Sequence, residues 1–173
     1  DTMAHTAIQI LFYSGIRFGE LLALHPADLD FNANTISITK SMQRKGGKDI
    51  YTPPKTENGI RTVNMPTAIM EELKAYIGKI YGIQPHQRIF PFTKTFISNT
   101  IRRCSAAANE PYIRIHDLRH SHVSLLIELG FSPHLIADRI GDTVQMVNNT
   151  YGHLYPNKQS EVSDRLNSIL VSK

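Results

Sequence analysis

The sequence has little cysteine, no tryptophan and no long apolar run. Its 173 residues include a single cysteine, Cys104, which excludes an internal disulfide framework and fits a reducing compartment such as the cytoplasm. No apolar stretch approaches the roughly 20 residues that a membrane-spanning helix needs, and no signal peptide opens the chain. We therefore expect a cytoplasmic protein that does not contact membranes, with Cys104 as a small packed residue of a helix.

Charge of either sign is also modest, with 19 basic and 15 acidic residues and a formal net charge of +4. This mild excess favours an anionic partner such as nucleic acid without establishing one. A hydrophobic fraction of 41% is enough for one compact domain with its own core. We expect residues 1–173 to form a single domain. Because the chain does not begin with Met, we also expect it to be a piece of a longer protein.

Hydrophobic periodicity predicts a mixed α+β domain that is mainly α-helical, with a small three-stranded antiparallel sheet near its first third. Three short strand patterns, read as a meander, cover Thr35–Lys40, Ile50–Thr52 and Arg61–Asn64. Helical patterns cover Ala7–Tyr13, Arg17–Leu24, Ala68–Tyr81, Phe96–Ala108, His116–Leu129, Pro133–Ile140, Thr143–Asn149 and Glu161–Leu170.

One segment, I-H-D-L-R-H-S-H at 115–122, contains three histidines and an arginine. His116 and His120 lie four residues apart, so both face one side of a helix in the way that zinc-binding histidines do. Zinc would need a third ligand, and Arg119 lies on the same face as His116. A dication near a guanidinium at about 4 Å is repelled by roughly 4 kcal/mol per unit charge product at an effective dielectric constant of 20. The sequence disfavours zinc, but it stays an alternative.

The same spacing suits an anion. His116 and Arg119 are one helical turn apart and can converge on a single phosphate, to which arginine presents a planar fork of donors. Taken alone, H-x-x-R is also what a helix with local salt bridges and hydrogen bonds contains. The choice between these interpretations depends on what else in the chain can act on a phosphate.

Three further residues supply that chemistry. Arg17 lies in the strongly apolar segment S-G-I-R-F-G-E-L-L-A-L, three residues before Glu20, with which it can alternatively form a surface pair. Lys55 lies in the tight connection between two predicted strands, where a solvated loop lysine is the simpler interpretation. Tyr151 follows a short helix and precedes a glycine, a position where tyrosines more often only pack.

Together these side chains are those needed to attack a phosphodiester without metal. Two arginines neutralise the charge of the pentacoordinate transition state, usually the largest catalytic contribution. In phosphoryl transfer one arginine contributes on the order of 10³–10⁵ in rate. Tyrosine, with a pKa near 10, can attack if a base such as His116 takes its proton. Lys55 can protonate the leaving 5′ oxygen.

The order of these segments resembles the catalytic domain of the tyrosine recombinases, the integrases of phages and integrative elements. The matching blocks are S-G-I-R-F-G-E-L-L-A-L, P-K-T-E-N-G-I-R-T-V, H-D-L-R-H-S-H and N-T-Y-G-H-L-Y, between about residue 10 and residue 156. Each block is weak alone, but four in this order are specific. The resemblance implies the fold of DNA breaking-rejoining enzymes and site-specific DNA recombination without a cofactor or metal.

The resemblance also implies a role for each site residue. Arg17 and Arg119 would clamp the phosphate, Lys55 would be the general acid and His116 would be an acid or base. Tyr151 would be the nucleophile, leaving a 3′-phosphotyrosine and a free 5′ hydroxyl. The family implies double-stranded DNA as substrate and, for the full-length protein, a tetrameric synapse. We expect this domain alone, without core-binding and arm-binding domains, to be a monomer.

One position departs from the family pattern. Where a second histidine is expected after glycine, this chain reads I-G-D, with Asp142 nine residues before Tyr151. A carboxylate beside a phosphate is unfavourable unless it turns toward a cation such as Arg119. Asp142 therefore either orients an arginine of the clamp or caps the helix that begins near Thr143. His153 is a candidate substitute for the missing histidine.

The most basic run extends from Lys40 to Lys48 and contains no acidic residue. Its four cations can lie along a DNA backbone or remain solvated in a loop. So few phosphate contacts predict weak, salt-sensitive and mostly non-specific binding. The cations are Lys40, Arg44, Lys45 and Lys48.

The C-terminal segment, 157–173, is predicted as a tail helix with four apolar residues at helical spacing. It can pack on its own domain or, as the family resemblance suggests, on a neighbouring protomer. The apolar residues are Val162, Leu166, Ile169 and Leu170.

Two rival functions remain open from the sequence. The first is a DNA-binding relative of the recombinases with impaired catalysis, which the substitution at Asp142 makes plausible. The second is a metal-dependent hydrolase built on His116 and His120.

Overall fold

The structure is a computed structural model that describes residues 2–54, 57–156 and 159–171. Within these ranges the chain forms eight α-helices and five β-strands. The helices are α1 Thr2–Ser14, α2 Phe18–Leu22, α3 Thr67–Ile77, α4 Lys94–Ala107, α5 Ile115–Glu128, α6 Pro133–Ile140, α7 Val144–Tyr151 and α8 Gln159–Val171. The strands are β1 Leu29–Asp30, β2 Thr35–Ile38, β3 Ser41–Lys45, β4 Lys48–Thr52 and β5 Arg61–Asn64.

The predicted fold class is confirmed: the chain is mainly helical and has a three-stranded antiparallel sheet, in the order β1-β2-β5. The predicted membership of that sheet is wrong in one strand. Ile50–Thr52 pairs with Ser41–Lys45 in a separate hairpin, β3–β4. Gly46 and Gly47 both have positive φ angles, 58° and 78°, so two residues close a tight hairpin. Pairing across this local turn replaces pairing with β5.

The buried side chains form two clusters, and α5 belongs to both. Ile115 and Leu118, from its first turn, pack in the larger cluster with α1–α4 and the sheet. Val123 and Ile127, further along the helix, pack in the smaller cluster with α6 and α7. Arg119 lies between these two apolar pairs, so the helix carries a charged side chain to the junction of the clusters.

The start of α5 is set by its own sequence. The Asp117 carboxylate accepts a hydrogen bond from the backbone N–H of Arg114, at 2.7 Å, which satisfies a donor ahead of the first turn. At the end of α1 the chain turns through Gly15, whose φ is +67°. A Cβ there would lie 2.4 Å from the ring of His122, so glycine lets α1 and α5 approach closely.

Two predictions about surface and core require correction or refinement. Cys104 is exposed on α4, so its prediction as a packed residue is wrong. The tail helix is present as α8, but its apolar side chains are exposed, from 51% for Val162 to 73% for Leu170, which argues against packing on its own domain. Within the described ranges, no helix combines the length and apolar character needed to cross a membrane.

Candidate active site

Three segments of the chain bring two arginines to one carboxylate. Arg17 directly precedes α2, and its side chain is 42% exposed, whereas Arg119 on α5 is 5% exposed. Both guanidinium groups reach the same carboxylate oxygen, Oδ2 of Asp142. The distances are 2.7 Å from Nη2 of Arg17 and 3.1 Å from Nη2 of Arg119. The predicted convergence of the two arginines on one anion is therefore present, with a carboxylate as the anion.

The I-G-D turn that carries Asp142 also holds the arginines through its backbone. The helix α6 ends at Ile140, whose carbonyl accepts a hydrogen bond from Nη1 of Arg119 at 2.8 Å. Gly141 follows with φ +67°, and its carbonyl accepts from both terminal nitrogens of Arg17 at 3.3 Å. A Cβ on Gly141 would lie 2.5 Å from Arg61, so a side chain at this position has no room.

The two predicted roles of Asp142 are separated by these contacts. Asp142 bonds the arginines through Oδ2, and the backbone N–H of Thr143 also donates to its Oδ1 at 3.2 Å. The cap of α7 is the hydroxyl of Thr143, which accepts from the backbone N–H of Met146 at 3.1 Å. Asp142 thus lies where it orients the two arginines, and another residue caps the helix.

A buried acidic residue, Glu20, pairs with Arg17. Glu20 is 3% exposed and accepts from Nη1 of Arg17 at 3.2 Å, so the predicted pair is present. Glu20 also binds Arg61, itself 6% exposed, at 2.9 Å. Burial alone would raise the pKa of Glu20, but the hydrogen bond and charge of Arg61, then those of Arg17, hold it below its ordinary value. Sequence reasoning missed Arg61, although it lies in the block G-I-R-T-V.

The buried guanidinium of Arg119 is held by three hydrogen bonds. Its Nη1 donates to two carbonyls, those of Ile140 and of Gly15, the latter at 2.7 Å. Burial, followed by the charge of Arg17, lowers the pKa of Arg119 to about 10, so it stays cationic at neutral pH. Its Nη2 points to Asp142. The guanidinium is thus fixed by backbone carbonyls at Nη1 and directed at an anion through Nη2.

Tyr151 is the last residue of α7, and its side chain is 5% exposed. Its Oη lies 2.5 Å from Nδ1 of His120. Burial raises the pKa of Tyr151, Arg119 lowers it and Asp142 raises it, with a net increase above the ordinary value. The hydroxyl therefore lies within the electrostatic reach of the arginine site, and its hydrogen-bond partner is a histidine that the sequence placed only in the zinc alternative.

His116, the predicted acid or base, lies one turn earlier on α5. Its ring meets the ring of His120 edge-on, with centroids 4.7 Å apart, and it lines a cavity together with Arg119, Lys94 and Arg114. Although His116 is largely exposed, partial burial, then His120 and Arg119, lowers its pKa below the ordinary value. Its imidazole is therefore neutral near pH 7 and lines a cavity rich in cations, which suits a polyanion.

The geometry does not favour the zinc alternative. His120 directs Nδ1 at Tyr151, and over residues 2–54, 57–156 and 159–171 no group of three or more His, Cys, Asp or Glu side chains has the spacing of a metal site. The third histidine of the segment, His122, is 3% exposed and accepts a hydrogen bond from Arg139 at 3.1 Å. Burial, then Arg139 and Arg119, lowers the pKa of His122 to about 4, so it is a neutral core residue.

The remaining predicted site residues lie apart from this cluster. Lys55 lies outside the described residues. His153 is exposed in the turn after Tyr151. Lys40 was expected to contact DNA, and this prediction needs correction. Its half-buried ammonium is paired with the Asp28 carboxylate, 2.6 Å from Nζ, so it is not free for phosphate. The other three cations of the run are exposed on the β3–β4 hairpin; they are Arg44, Lys45 and Lys48.

The sequence profile of the Phage integrase family matches residues 1–158, and the chain belongs to that family, as the resemblance predicted. It is 34% identical to the ICEBs1 integrase of Bacillus subtilis (strain 168), over 95% of this chain and 49% of that protein. It is 26% identical to a "Tyrosine recombinase XerC-like" of Caldanaerobacter subterraneus subsp. tengcongensis, over 94% of this chain and 48% of that protein.

Solved structures show the same fold. The integrase of transposon Tn1549, solved with circular intermediate DNA, superposes with a TM-score of 0.76 and 22% identity, over 96% of this chain and 59% of that one. The catalytic domain of bacteriophage HP1 integrase superposes with a TM-score of 0.61 and 20% identity, over 94% of this chain and 80% of that one. The chain spans about half the length of the curated relatives above.

Proposed function

We propose that residues 1–173 are the catalytic domain of a site-specific DNA integrase, which cuts and rejoins DNA without metal through a covalent link to Tyr151. The observation that carries the proposal is the convergence of Arg17 and Arg119 on one anionic oxygen. The tyrosine that would attack lies within the same electrostatic field. Membership of the phage integrase family supports the same reaction.

In the proposed reaction the scissile phosphate takes the place that the Asp142 carboxylate occupies between the arginines. The phenolic proton of Tyr151 passes to a histidine of α5 while the tyrosine oxygen attacks phosphorus, so that a new O–P bond forms and the bond to the 5′ oxygen breaks. Lys55 gives its proton to that leaving oxygen. The phosphate remains linked to tyrosine, so the energy of the ester is kept and a 5′ hydroxyl of another strand can reverse the step. His116, in the cavity beside Arg119, contacts the phosphate or the leaving group.

Asp142 would act as an internal counter-ion in this scheme. Without DNA it neutralises part of the charge of Arg17 and Arg119 and keeps both guanidinium groups directed at one point. Such preorganised donors need little rearrangement when the transition state forms. The cost is competition, because a phosphate must displace the carboxylate or share the arginines with it. This counter-ion also favours an active enzyme over a relative with impaired catalysis, because the clamp is assembled.

Double-stranded DNA is the proposed substrate, and the β3–β4 hairpin is the proposed backbone contact. Its exposed cations, Arg44, Lys45 and Lys48, flank a tight turn of two glycines. Contacts of this kind neutralise phosphates without reading bases. We expect the binding to be weak, salt-sensitive and mostly non-specific, as three cations on an isolated domain allow.

Self-association on DNA is proposed for the full-length protein, as a tetrameric synapse, with this domain alone a monomer. The exposed apolar side chains of α8 support it, since Leu166 is 56% and Ile169 66% exposed. Apolar surface of this kind is stabilised by burial against a second protein surface. Light scattering on the protein with and without Leu166→Asp, each bound to DNA, tests whether this face joins protomers.

The decisive test is a nicked suicide DNA substrate followed by denaturing electrophoresis. Active protein traps a covalent protein–DNA band, and Tyr151→Phe should bind DNA equally well and give none. Failure of wild-type protein to give a band while it binds DNA would favour the DNA-binding relative. DNA cleavage that gives no covalent band and is lost on adding EDTA would instead favour the metal-dependent hydrolase.

A further inference from the structure

We infer that His120, rather than His116, is the base that accepts the proton of the Tyr151 hydroxyl when the tyrosine attacks phosphorus. The inference rests on the proposed function and assigns one more catalytic residue to the same site. It concerns a direct contact to the reacting oxygen, so the role is catalytic in the strict sense.

The geometry places His120 where a base has to be. Its Nδ1 lies 2.5 Å from the Tyr151 Oη, within direct hydrogen-bond reach, and the two rings have centroids 5.6 Å apart. His120 is only partly buried, on α5, whereas Tyr151 ends α7. The two helices belong to the same small apolar cluster, through Val123 and Val147, so the contact is held by packing on both sides.

His116 is less suitable for this proton. Its ring stacks edge-on against His120 at 4.7 Å and faces the cavity with Arg119. It therefore contacts the incoming phosphate side, and His120 stands between it and the tyrosine. The two histidines, one helical turn apart, therefore have different roles: His116 contacts the substrate phosphate and His120 contacts the nucleophile.

The chemistry requires such a base. A phenol has a pKa near 10, and burial raises that of Tyr151 further, so the neutral phenol is the resting form. During attack the Oη–phosphorus bond forms, the phenolic proton passes to Nδ1, and the bond from phosphorus to the 5′ oxygen breaks. The leaving oxygen receives its proton from the general acid, proposed as Lys55. In the reverse step the imidazolium returns its proton to the tyrosine oxygen.

The charged groups near His120 are consistent with this transfer. On α5 its neighbours are the His116 ring and the Asp117 carboxylate, whose pKa is lowered first by the hydrogen bonds from Arg114 and last by the charge of His120. From α7 it faces only the Tyr151 hydroxyl among the contacts of the described residues. An imidazolium formed here is therefore adjacent to a carboxylate and to the developing phosphotyrosine, both of which stabilise a positive charge.

A substitution separates accepting a proton from merely positioning the tyrosine. In His120→Asn the amide Oδ1 occupies nearly the place of Nδ1 and still accepts a hydrogen bond, but it does not take a proton. His116→Asn is the matched control, because it makes the same change one turn away. Both variants are compared with wild-type chain for DNA binding and melting temperature before kinetics are measured.

The readout is the single-turnover rate of covalent complex formation on two suicide substrates, one with an ordinary phosphodiester and one with a 5′-bridging phosphorothiolate. A thiolate leaves without protonation, so the second substrate removes the need for a general acid only. We expect His120→Asn to be slowed by on the order of 10²–10⁴-fold on both substrates, the usual contribution of general base catalysis. Lys55→Ala should be slow on the first substrate and largely restored on the second.

Imidazole provides the second measurement. In His120→Ala, added imidazole can enter the space left by the side chain, and we expect it to restore covalent complex formation in proportion to its neutral form. His116→Ala should gain nothing from imidazole.

Three results overturn the inference. One is a His120→Asn rate within threefold of wild type, and another is rescue of His120→Asn by the phosphorothiolate. The third is an inactive His120→Ala, folded by its melting temperature, that imidazole does not restore. A wild-type chain that binds DNA and forms no covalent complex is a different failure, because it overturns the proposed function and the inference with it.

Discussion

Two regions of the molecule carry clusters of basic side chains, one with its cations paired and the other with its cations in solvent. In the arginine cluster, formed by Arg17, Arg61 and Arg119 with their two carboxylates, two of the three cations are buried: Arg61 is 6% and Arg119 5% exposed. In the basic hairpin, β3–β4, the Arg44 side chain is 61% exposed, and its nearest carboxylate is 3.9 Å away. One region holds its cations with several partners each, and the other leaves them in solvent.

The difference follows from the cost of moving a charge out of water. A buried guanidinium is tolerated only where hydrogen bonds and opposite charges replace its hydration. Those partners, two carbonyls and Asp142 for Arg119, also fix the direction of the donors. An exposed cation needs no such partners and keeps its conformational freedom. The cluster is therefore suited to stabilise a transition state, and the hairpin is suited to attract a polyanion.

The largest expected effect is on catalysis in the arginine cluster. Arg119→Lys keeps the charge but loses the planar fork, so we expect covalent complex formation to slow on the order of 10³-fold, as for other phosphoryl-transfer arginines. The suicide-substrate assay measures it. Arg44→Lys is the control, because an exposed point charge serves the hairpin equally well and its rate should not change. Equal losses in both variants would mean that the two regions do not differ.

The next largest effect is on the pH dependence of stability, through the buried His122. The pKa of His122 is about 4 in the folded chain and near 6.5 when unfolded, so folding keeps it neutral. Its contribution is complete above pH 6.5 and is lost as the pH falls toward 4, about 3 kcal/mol in the free energy of unfolding. His122→Gln keeps the acceptor for Arg139 and should flatten this loss in urea denaturation from pH 7 to 4.

His134 supplies the control for the pH measurement. It is exposed on α6, so His134→Gln should leave the pH dependence of unfolding as in the wild-type chain. A wild-type curve that matches His122→Gln across this range would show that His122 titrates alike in the folded and unfolded chains.

A smaller effect, a gain in anion binding instead of a loss of function, is expected from Asp142→Asn. Removing the carboxylate frees Arg17 and Arg119 for other anions, so we expect inorganic phosphate to bind about tenfold more tightly by calorimetry, a gain of about 1.4 kcal/mol. The chain should also lose about 1 kcal/mol of stability, because the arginines lose a partner. Asp138→Asn, on the exposed side of α6, should change neither. Weaker phosphate binding in Asp142→Asn would show that the carboxylate aids the anion.

The smallest effects belong to the hairpin. Replacing Arg44, Lys45 or Lys48 singly by Gln should weaken binding to DNA of any sequence a few-fold and reduce the slope of log K against log salt by about 1 each. Stability should stay within about 0.5 kcal/mol. Lys40→Gln is a matched control from the same basic run, because its amine is bound by Asp28. It should leave the salt slope unchanged and cost stability, and the reverse pattern would contradict the assignment.

The octapeptide at 115–122 shows how far its pattern could be read. Its spacing predicted a helix on which His116 and Arg119 share a face, and the helix is confirmed as α5. The spacing did not distinguish three histidines with three different surroundings. His116 lines the cavity, His120 meets Tyr151 and His122 is buried against Arg139. Each surrounding is made by a segment distant in the sequence.

The wrong predictions have the same origin. Lys40 and Cys104 were interpreted from their neighbours in the chain, but Asp28 comes from another turn and the core lies on the other side of α4. The polar letters of Ser41–Lys45 do not alternate with apolar ones, so the strand β3 was missed, and with it the hairpin. Asp142 could be located but its function could not be chosen, since both of its arginines are more than 20 residues away.

Periodicity and residue chemistry are local properties, so they predict most helices, the presence of a small antiparallel sheet and candidate side chains for acting on a phosphate. Which of those side chains meet depends on how distant segments pack. The burial of Arg119, the carboxylate shared by two arginines and the partner of Tyr151 each depend on the packing of α5 against α1, α6 and α7. Desolvation and direction arise from that packing, and no stretch of neighbouring residues contains them.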